Sequence, residues 1–162
     1  MIQQNTKHAW KGGTMFKTPA EEAYQVMDQL AKENNLNAQA LVDASRPEDA
    51  VLHQDFEWRD EIAAEEYRKG TARNMINSIV IVREEQVDQE PIRAYFHIEH
   101  SDPNYEHVEI IMQDEDKSKK LFHLALRELT AFRAKYNSLK QFKQLFEDID
   151  ELQQRTLFDK GA

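Results

Sequence analysis

The stretch SIVIVREEQVDQEPIRAYFHIE, residues 78–99, decides the fold class. Its opening run, Ile79 to Val82, is β-branched throughout, and PIRAYFHIE alternates apolar with polar side chains in the manner of a strand. Residues 78–84 and 91–99 therefore read as a β-hairpin closed by the acidic turn REEQVDQE. YEHVEIIM, residues 105–112, adds a third strand or a short ordered segment. The result is a small antiparallel sheet over residues 78–112 with one covered face. Helical patterns surround it on both sides, so the fold class is α+β, mainly helical: an N-terminal helical unit, the sheet, and a long C-terminal helical arm.

Residues 15–77 form the N-terminal helical unit. In TPAEEAYQVMDQLAKENN, residues 18–35, Thr18 is placed to cap, Pro19 sits where a missing N–H is harmless, and Glu21 completes a capping box. Ala20, Ala23, Tyr24, Met27, Leu30 and Ala31 then draw one apolar stripe that ends at the asparagine pair Asn34 and Asn35. A second short helix begins after Asn37 and stops near Arg46, because Pro47 disfavours helix in the residue before it. A third runs from Asp60, as cap, to about Asn77. Just before it, Trp58 is placed to pack back on Ile62 or Tyr67, while Asp60, Glu61, Glu65 and Glu66 suit the positive end of the helix dipole. The first 14 residues, with the glycine pair of WKGGT, read as a flexible lead-in or a short edge strand.

From Glu115 the pattern is helical again. Phe122, Leu126, Leu129, Phe132, Tyr136, Leu139, Phe142, Phe146, Ile149 and Leu152 recur at steps of three and four. YNSLKQ interrupts them with a second capping box, Ser138 to Gln141, which gives two helices, 116–136 and 139–153, and a tail over 154–162. Residues 15–153 are expected to form a single domain. Within the stripe Phe132, Tyr136, Leu139 and Phe142 are the candidate oligomer contact, in the manner of a helical seam.

The composition sets limits. A chain of 162 residues with 31% charged side chains and a formal charge of −9 suits one soluble, helix-rich domain. No window has the apolar length of a membrane span, and the N-terminus lacks the apolar core of a signal peptide. The cytoplasm of a bacterial host is the expected location, and a virion component fits the same features. With no cysteine, thiolate chemistry and Cys-ligated metals are excluded. The charge is unevenly placed. Residues 76–114 hold Arg83 and Arg93 against nine acids, a balance of −7; residues 117–143 hold eight bases against Glu128 alone, a balance of +7. Two such segments attract each other within one molecule or between copies.

No catalytic residues, metal ligands or cofactor emerge. HIEHSDPNYEH gathers His97, His100 and His107 beside Glu99, Asp102 and Glu106, but strand alternation sends His97 and Glu99 to one face and His100 to the other. KGGT is too short to cradle phosphate, and no nucleophile elbow is present. QLAKENNLNAQALVDASR has helix-turn-helix spacing, with Ala31, Leu36, Leu41 and Ala44 as packing positions and Gln39, Asp43 and Arg46 exposed on the second helix. Residues 15–50 carry three bases against seven acids, a poor balance for approaching phosphate. The candidate nucleic-acid contacts are accordingly Gln39 and Arg46 on that hairpin, with Lys117, Lys120, Arg127, Arg133, Lys135 and Lys140 on the basic arm.

WKGGT at 10–14, LVDASRPEDAVLHQDFEWRDEIAAEEYRKGTARNMI at 41–76, RAYFHIE at 93–99 and LALRELTAFRAKYNSLKQFKQLFEDID at 124–150 resemble a family of small proteins encoded by tailed bacteriophages and prophages, especially of Gram-positive hosts. The resemblance implies a phage-derived accessory protein and brings no catalytic residues with it. The expected function is a non-enzymatic protein that self-associates as a homo-oligomer and binds a macromolecular partner. Two alternatives stand beside it: a helix-turn-helix-like DNA-binding regulator or DNA-organising protein on duplex DNA, and an acidic inhibitor of a host defence or nucleic-acid enzyme.

Overall fold

The computed structural model describes residues 6–59, 64–83 and 90–159, with side chains in the last helix through Thr156. The fold is α+β and mainly helical. It divides into two compact units, Met1–Ile111 and Met112–Ala162.

Strand β2 (Ile79–Arg83) is the centre of the first unit's sheet. Its leading residues Ile79, Val80 and Ile81 are all buried, so the β-branched run is uninterrupted because it is covered on both faces. One edge pairs antiparallel with β1 (Thr6–Trp10), where His8 faces Ile81 and Trp10 faces Ile79. Of the two readings for the first 14 residues the edge strand is therefore the one observed. A turn follows, closed by the Thr14 N–H on the Lys11 carbonyl at 3.2 Å, with Gly13 at φ 88, a conformation that favours glycine.

The other edge of β2 pairs with β3 (Ile92–Arg93), with Val80 opposite Arg93 and Ile81 opposite Ile92. The expected strand 91–99 is split. Ala94 donates to the Ile79 carbonyl at 3.0 Å while its own carbonyl accepts from Val108 at 2.8 Å, so the chain changes partner there. Beyond it β4 (Tyr95–Phe96) pairs with β5 (Glu106–His107) as a separate two-stranded ladder. The third strand of the main sheet thus comes from the N-terminus, and most of YEHVEIIM is helix α4 (Val108–Gln113). Residues 84–89 of the acidic turn REEQVDQE lie outside the described residues.

Helix α1 (Ala20–Lys32) buries Ala20, Ala23 and Met27, with Tyr24, Leu30 and Ala31 packed beside them, as the stripe requires. Its C-terminus is a Schellman motif: the Asn35 N–H bonds the Leu30 carbonyl and the Asn34 N–H the Ala31 carbonyl, with Asn34 left-handed at φ 53. Its N-terminus differs from expectation. Pro19 is the flanking residue and Thr18 makes no cap; the Thr18 hydroxyl bonds Asp55 and the Val51 carbonyl instead. Glu21 turns to β1, where its carboxylate accepts the His8 backbone N–H at 3.1 Å. The capping-box reading fails because both side chains find tertiary partners.

Helix α2 (Ala38–Ser45) is capped by Asn37, whose side chain accepts the Ala40 N–H at 2.9 Å. Leu41, Val42 and Ser45 face the core, whereas Ala44, expected to pack, is exposed. Helix α3 (Ala64–Ser78) contributes Ala72, Met75 and Ile76 to the same core. Asp60, Glu61 and Ile62 lie outside the described residues. Tyr67 is exposed, so it is not the partner of Trp58. Trp58 instead stacks on His53 at 5.0 Å, donates Nε1 to the His53 carbonyl, and lies under the guanidinium of Arg68 at 5.0 Å.

The second unit is a helical hairpin of α5 (Glu115–Lys135) and α6 (Lys143–Asp159), joined through a 3-10 turn, Lys140–Phe142. The break falls within YNSLKQ as expected, but the turn starts at Leu139 without a side-chain cap, so the Ser138 box does not form there. Residues 154–159, expected as tail, continue α6.

The loop preceding α1 is tied down by one carboxylate. Asp55 accepts the backbone N–H groups of Lys17 and Thr18 and the Thr18 hydroxyl, and Thr18 is buried. Asp55→Ala strands these donors and is expected to lower the unfolding free energy by about 2 kcal/mol. Alanine at exposed Glu48 should stay within about 0.5 kcal/mol of wild type. Urea denaturation of both variants checks this, and equal midpoints would show that the anchor contributes nothing.

Candidate functional site

Four places merit a functional reading. The first is the C-terminal hairpin. Phe132 meets Tyr136 at 4.9 Å and Phe142 at 5.6 Å, and Phe142 meets Phe146 at 5.9 Å. Three members of the candidate oligomer contact, Phe132, Tyr136 and Phe142, are therefore partly covered inside one hairpin, while Leu139 stands exposed. The buried apolar side chains among the described residues of α5 and α6 are Leu126, Phe146 and Ile149, of which only Ile149 is fully covered. Phe122, Leu129 and Leu145 remain exposed at 45%, 37% and 40%.

The basic arm is only partly open. Arg133 bonds Asp150 of α6 at 2.8 Å, Lys119 pairs with Glu115 at 2.6 Å, and Lys135 lies over the Tyr136 ring. Lys117 and Lys120 are engaged as well. Arg127 and Lys140 have no ion-pair partner among the described residues.

The second place is the α1–turn–α2 hairpin. Gln39 Nε2 donates to Asp43 at 3.1 Å and to Glu65 at 2.9 Å; Arg46 donates to the same two carboxylates at 3.0 and 2.7 Å. Glu65 also accepts from Arg68, which is buried and donates to the Glu57 carbonyl. The Gln39 hydrogen bond, then Arg46, hold the Glu65 carboxyl down at about 2. The expected base-reading groups are thus bound to acids of their own chain.

The third place is a polar cluster under β1. The His8 ring stacks on Tyr24 at 3.4 Å, and its Nδ1 donates to Glu21 at 3.2 Å. Burial, then the Asp28 charge, push the Tyr24 phenol up to about 12, and burial raises Tyr95 further. His107 meets Tyr95 edge-on at 5.4 Å. Its Nδ1 accepts the Glu109 N–H at 3.3 Å, so the neutral ring carries its proton on Nε2. That Nε2 and the Tyr95 hydroxyl are buried without a hydrogen-bond partner among the described residues. Burial lowers the His107 imidazole below its ordinary value, and nearby His8 adds to this while Glu109 and Asp28 oppose it. Among the described residues no group of three histidine or acid side chains is placed to hold a metal ion.

The fourth place is a cleft of about 580 Å³ in the first unit, formed by the opening turn of α2, one face of α3 and the 97–105 segment. Lys69 and Arg73 line it, four residues apart and so on one face of α3. Across from them stand His97, His100, Ser101 and Tyr105. His97 and His100 were expected on opposite faces of a strand. Strand β4 ends at Phe96, and a turn, Asp102 N–H to Glu99 carbonyl at 3.2 Å, folds His100 back to 6.1 Å from His97. His97 Nε2 donates to the Asp102 carbonyl at 2.6 Å and its ring lies 5.4 Å from Tyr105. His107 of the same sequence cluster is elsewhere, against Tyr24 and Tyr95.

Comparison with protein-family models, with curated proteins and with solved structures found no match to this chain. Among the described residues no helix is long and apolar enough to cross a membrane.

The His107 arrangement makes stability depend on pH with a definite sign. Above the ordinary histidine value of 6.5 both states are neutral and the half-buried ring favours the fold fully. As pH falls below that value the unfolded chain takes the proton first, and the advantage is lost toward the folded-state value. Unfolding free energy should therefore fall from about pH 7 to about pH 5 more steeply in wild type than in His107→Gln. Chemical denaturation across that range tests it; parallel curves would remove His107 as the cause.

Proposed function

We propose that the chain is a non-enzymatic accessory protein, of the phage-derived kind, that self-associates through its C-terminal hairpin and as an assembly engages a macromolecular partner. The observation that carries this reading is the exposed apolar stripe of α5, Phe122, Ala125 and Leu129, with Leu145 of α6. Two helices alone cannot enclose a core, and an apolar face left over on both members is suited to another helix pair.

The occupant that fits is a second copy. Exposed cations of the α5 side, Arg127, Lys135 and Lys140, and exposed acids of α6, Glu147, Asp148 and Glu151, give the hairpin two oppositely charged flanks. An antiparallel copy sets each flank against its complement, which steers register more than it adds affinity. The duplex-DNA alternative draws less support, since Gln39 and Arg46 are committed to Asp43 and Glu65. What remains for it are the exposed cations of the arm.

Light scattering at micromolar concentration should give the wild type at least twice the chain mass of 19.1 kDa. Leu129→Gln with Leu145→Gln should reduce it to the single chain while circular dichroism keeps its helical signal. A wild type that stays at the single-chain mass at all concentrations would overturn the proposal.

A further inference from the structure

We propose that the cleft between α2, α3 and the 97–105 segment binds a nucleotide-class ligand, its phosphate monoester on Lys69 and Arg73 and its flat ring against His97 and Tyr105. This goes beyond self-association and does not rest on it, because every lining residue belongs to the first unit.

The charge of the lining is the strongest observation. The chain carries 30 acids against 21 lysines and arginines, yet among the described residues no acid lines this cleft. Lys69 and Arg73 project from one face of α3. Arg73 is exposed and has no hydrogen-bond or ion-pair partner among the described residues. Lys69 shares its charge with Glu66 at 3.0 Å, on a carboxylate that is itself largely in solvent. A guanidinium and an ammonium one helical turn apart suit the oxygens of a phosphate, the first as a planar fork and the second as a point charge.

The acids behind the lining are already answered. Glu65 and Asp43, which hold Gln39, are both bridged by Arg46, and Glu65 by Arg68 too. The Asp102 carboxylate accepts the Asn104 backbone and side-chain N–H groups, leaving its carbonyl to fix His97. The opening turn of α2 adds the positive end of its dipole on the same side.

The ring half of the ligand follows from the opposite wall. The His97 and Tyr105 rings lie 5.4 Å apart, and the Tyr105 backbone is fixed by its N–H on the Leu36 carbonyl at 2.7 Å. Aromatic faces of this kind take a flat heterocycle without reading its edge. The volume of about 580 Å³ falls within the range of roughly 300–1,000 Å³ typical of small-ligand sites.

Isothermal titration of the full chain with adenosine 5′-monophosphate, inorganic phosphate and adenosine separates the two halves. The expected result is binding of the monophosphate, weaker binding of inorganic phosphate, and none of adenosine. Arg73→Gln, at an exposed position with no partner to lose among the described residues, should weaken the monophosphate by at least about tenfold without changing the melting temperature. Lys69→Gln should act in the same direction. Absence of heat with millimolar monophosphate, or binding indifferent to Arg73→Gln, would overturn the site. Inorganic phosphate binding as tightly as the monophosphate would overturn the ring contact. Retention of a single-stranded oligonucleotide with no response to the monophosphate would replace the small ligand with nucleic acid.

Discussion

Ile79, Val80 and Ile81 can be buried only if the N–H and C=O groups along them find partners within the chain. That requirement organises the first unit. One edge of β2 is filled by β1, roughly seventy residues earlier in sequence, and the other by β3 and Ala94. Because β1 is brought in, His8 lands over Tyr24 and beside Glu21, and a polar cluster is created under the strand. Because the other edge is served only as far as Ala94, the chain is released to pair with β5. The turn that carries His100 back to His97 follows from where β4 must end. The cleft is thus a consequence of how the sheet is closed.

What could be read from the sequence were the features whose cause lies within a few residues. Asn34 closes α1 because asparagine tolerates the left-handed turn, Asn37 caps α2 with its own side chain, and YNSLKQ breaks the C-terminal arm. Thr18 and Glu21 had the spacing of a capping box, but Asp55 and His8 offered longer-range partners that compete for the same groups. The pairing of β1 with β2 leaves no local trace beyond the short segment TKHAW itself. The alternation through PIRAYFHIE is real as a pattern, yet a strand of that length would need a partner along its whole edge, and β5 supplies two residues. The cleft was missed for this reason: His97 and His100 were placed on opposite faces of a strand, and nothing local in the sequence ties Lys69 and Arg73 to them. The local sign was SDPN, residues 101–104, whose serine, aspartate, proline and asparagine are turn formers that fold the chain back around His100.

The two units differ in how far they can satisfy themselves. The first draws apolar side chains from three helices, the central strand and the loop residues Leu52 and Phe56 into one cluster. The second has two helices, and the rings of Phe132, Phe142 and Phe146 concentrate at the end where the chain turns, leaving Phe122 and Leu129 farther along α5 without cover. An aromatic cluster at the bend fixes the hairpin, and the stripe beyond it stays exposed.

A net charge of −9 sets the final constraint, since every cation in such a chain has acids to attract it. Where bases and acids share a helix face or neighbouring helices, they pair: Arg46 and Arg68 on Glu65, Arg133 on Asp150, Lys119 on Glu115. Most of these pairs are exposed and contribute little to stability. Their effect is rather to consume charge locally, so that a cation left unpaired is set apart by position and not by number. Among the described residues Arg73 is such a residue, one turn beyond Lys69 on α3, facing a wall of histidine, serine and tyrosine with no carboxylate among its described lining. An anion entering there would meet positive charge that Glu66 offsets only in part, in a chain that is otherwise acidic, which is the condition under which a weakly charged cleft can still discriminate a phosphate from bulk counterions.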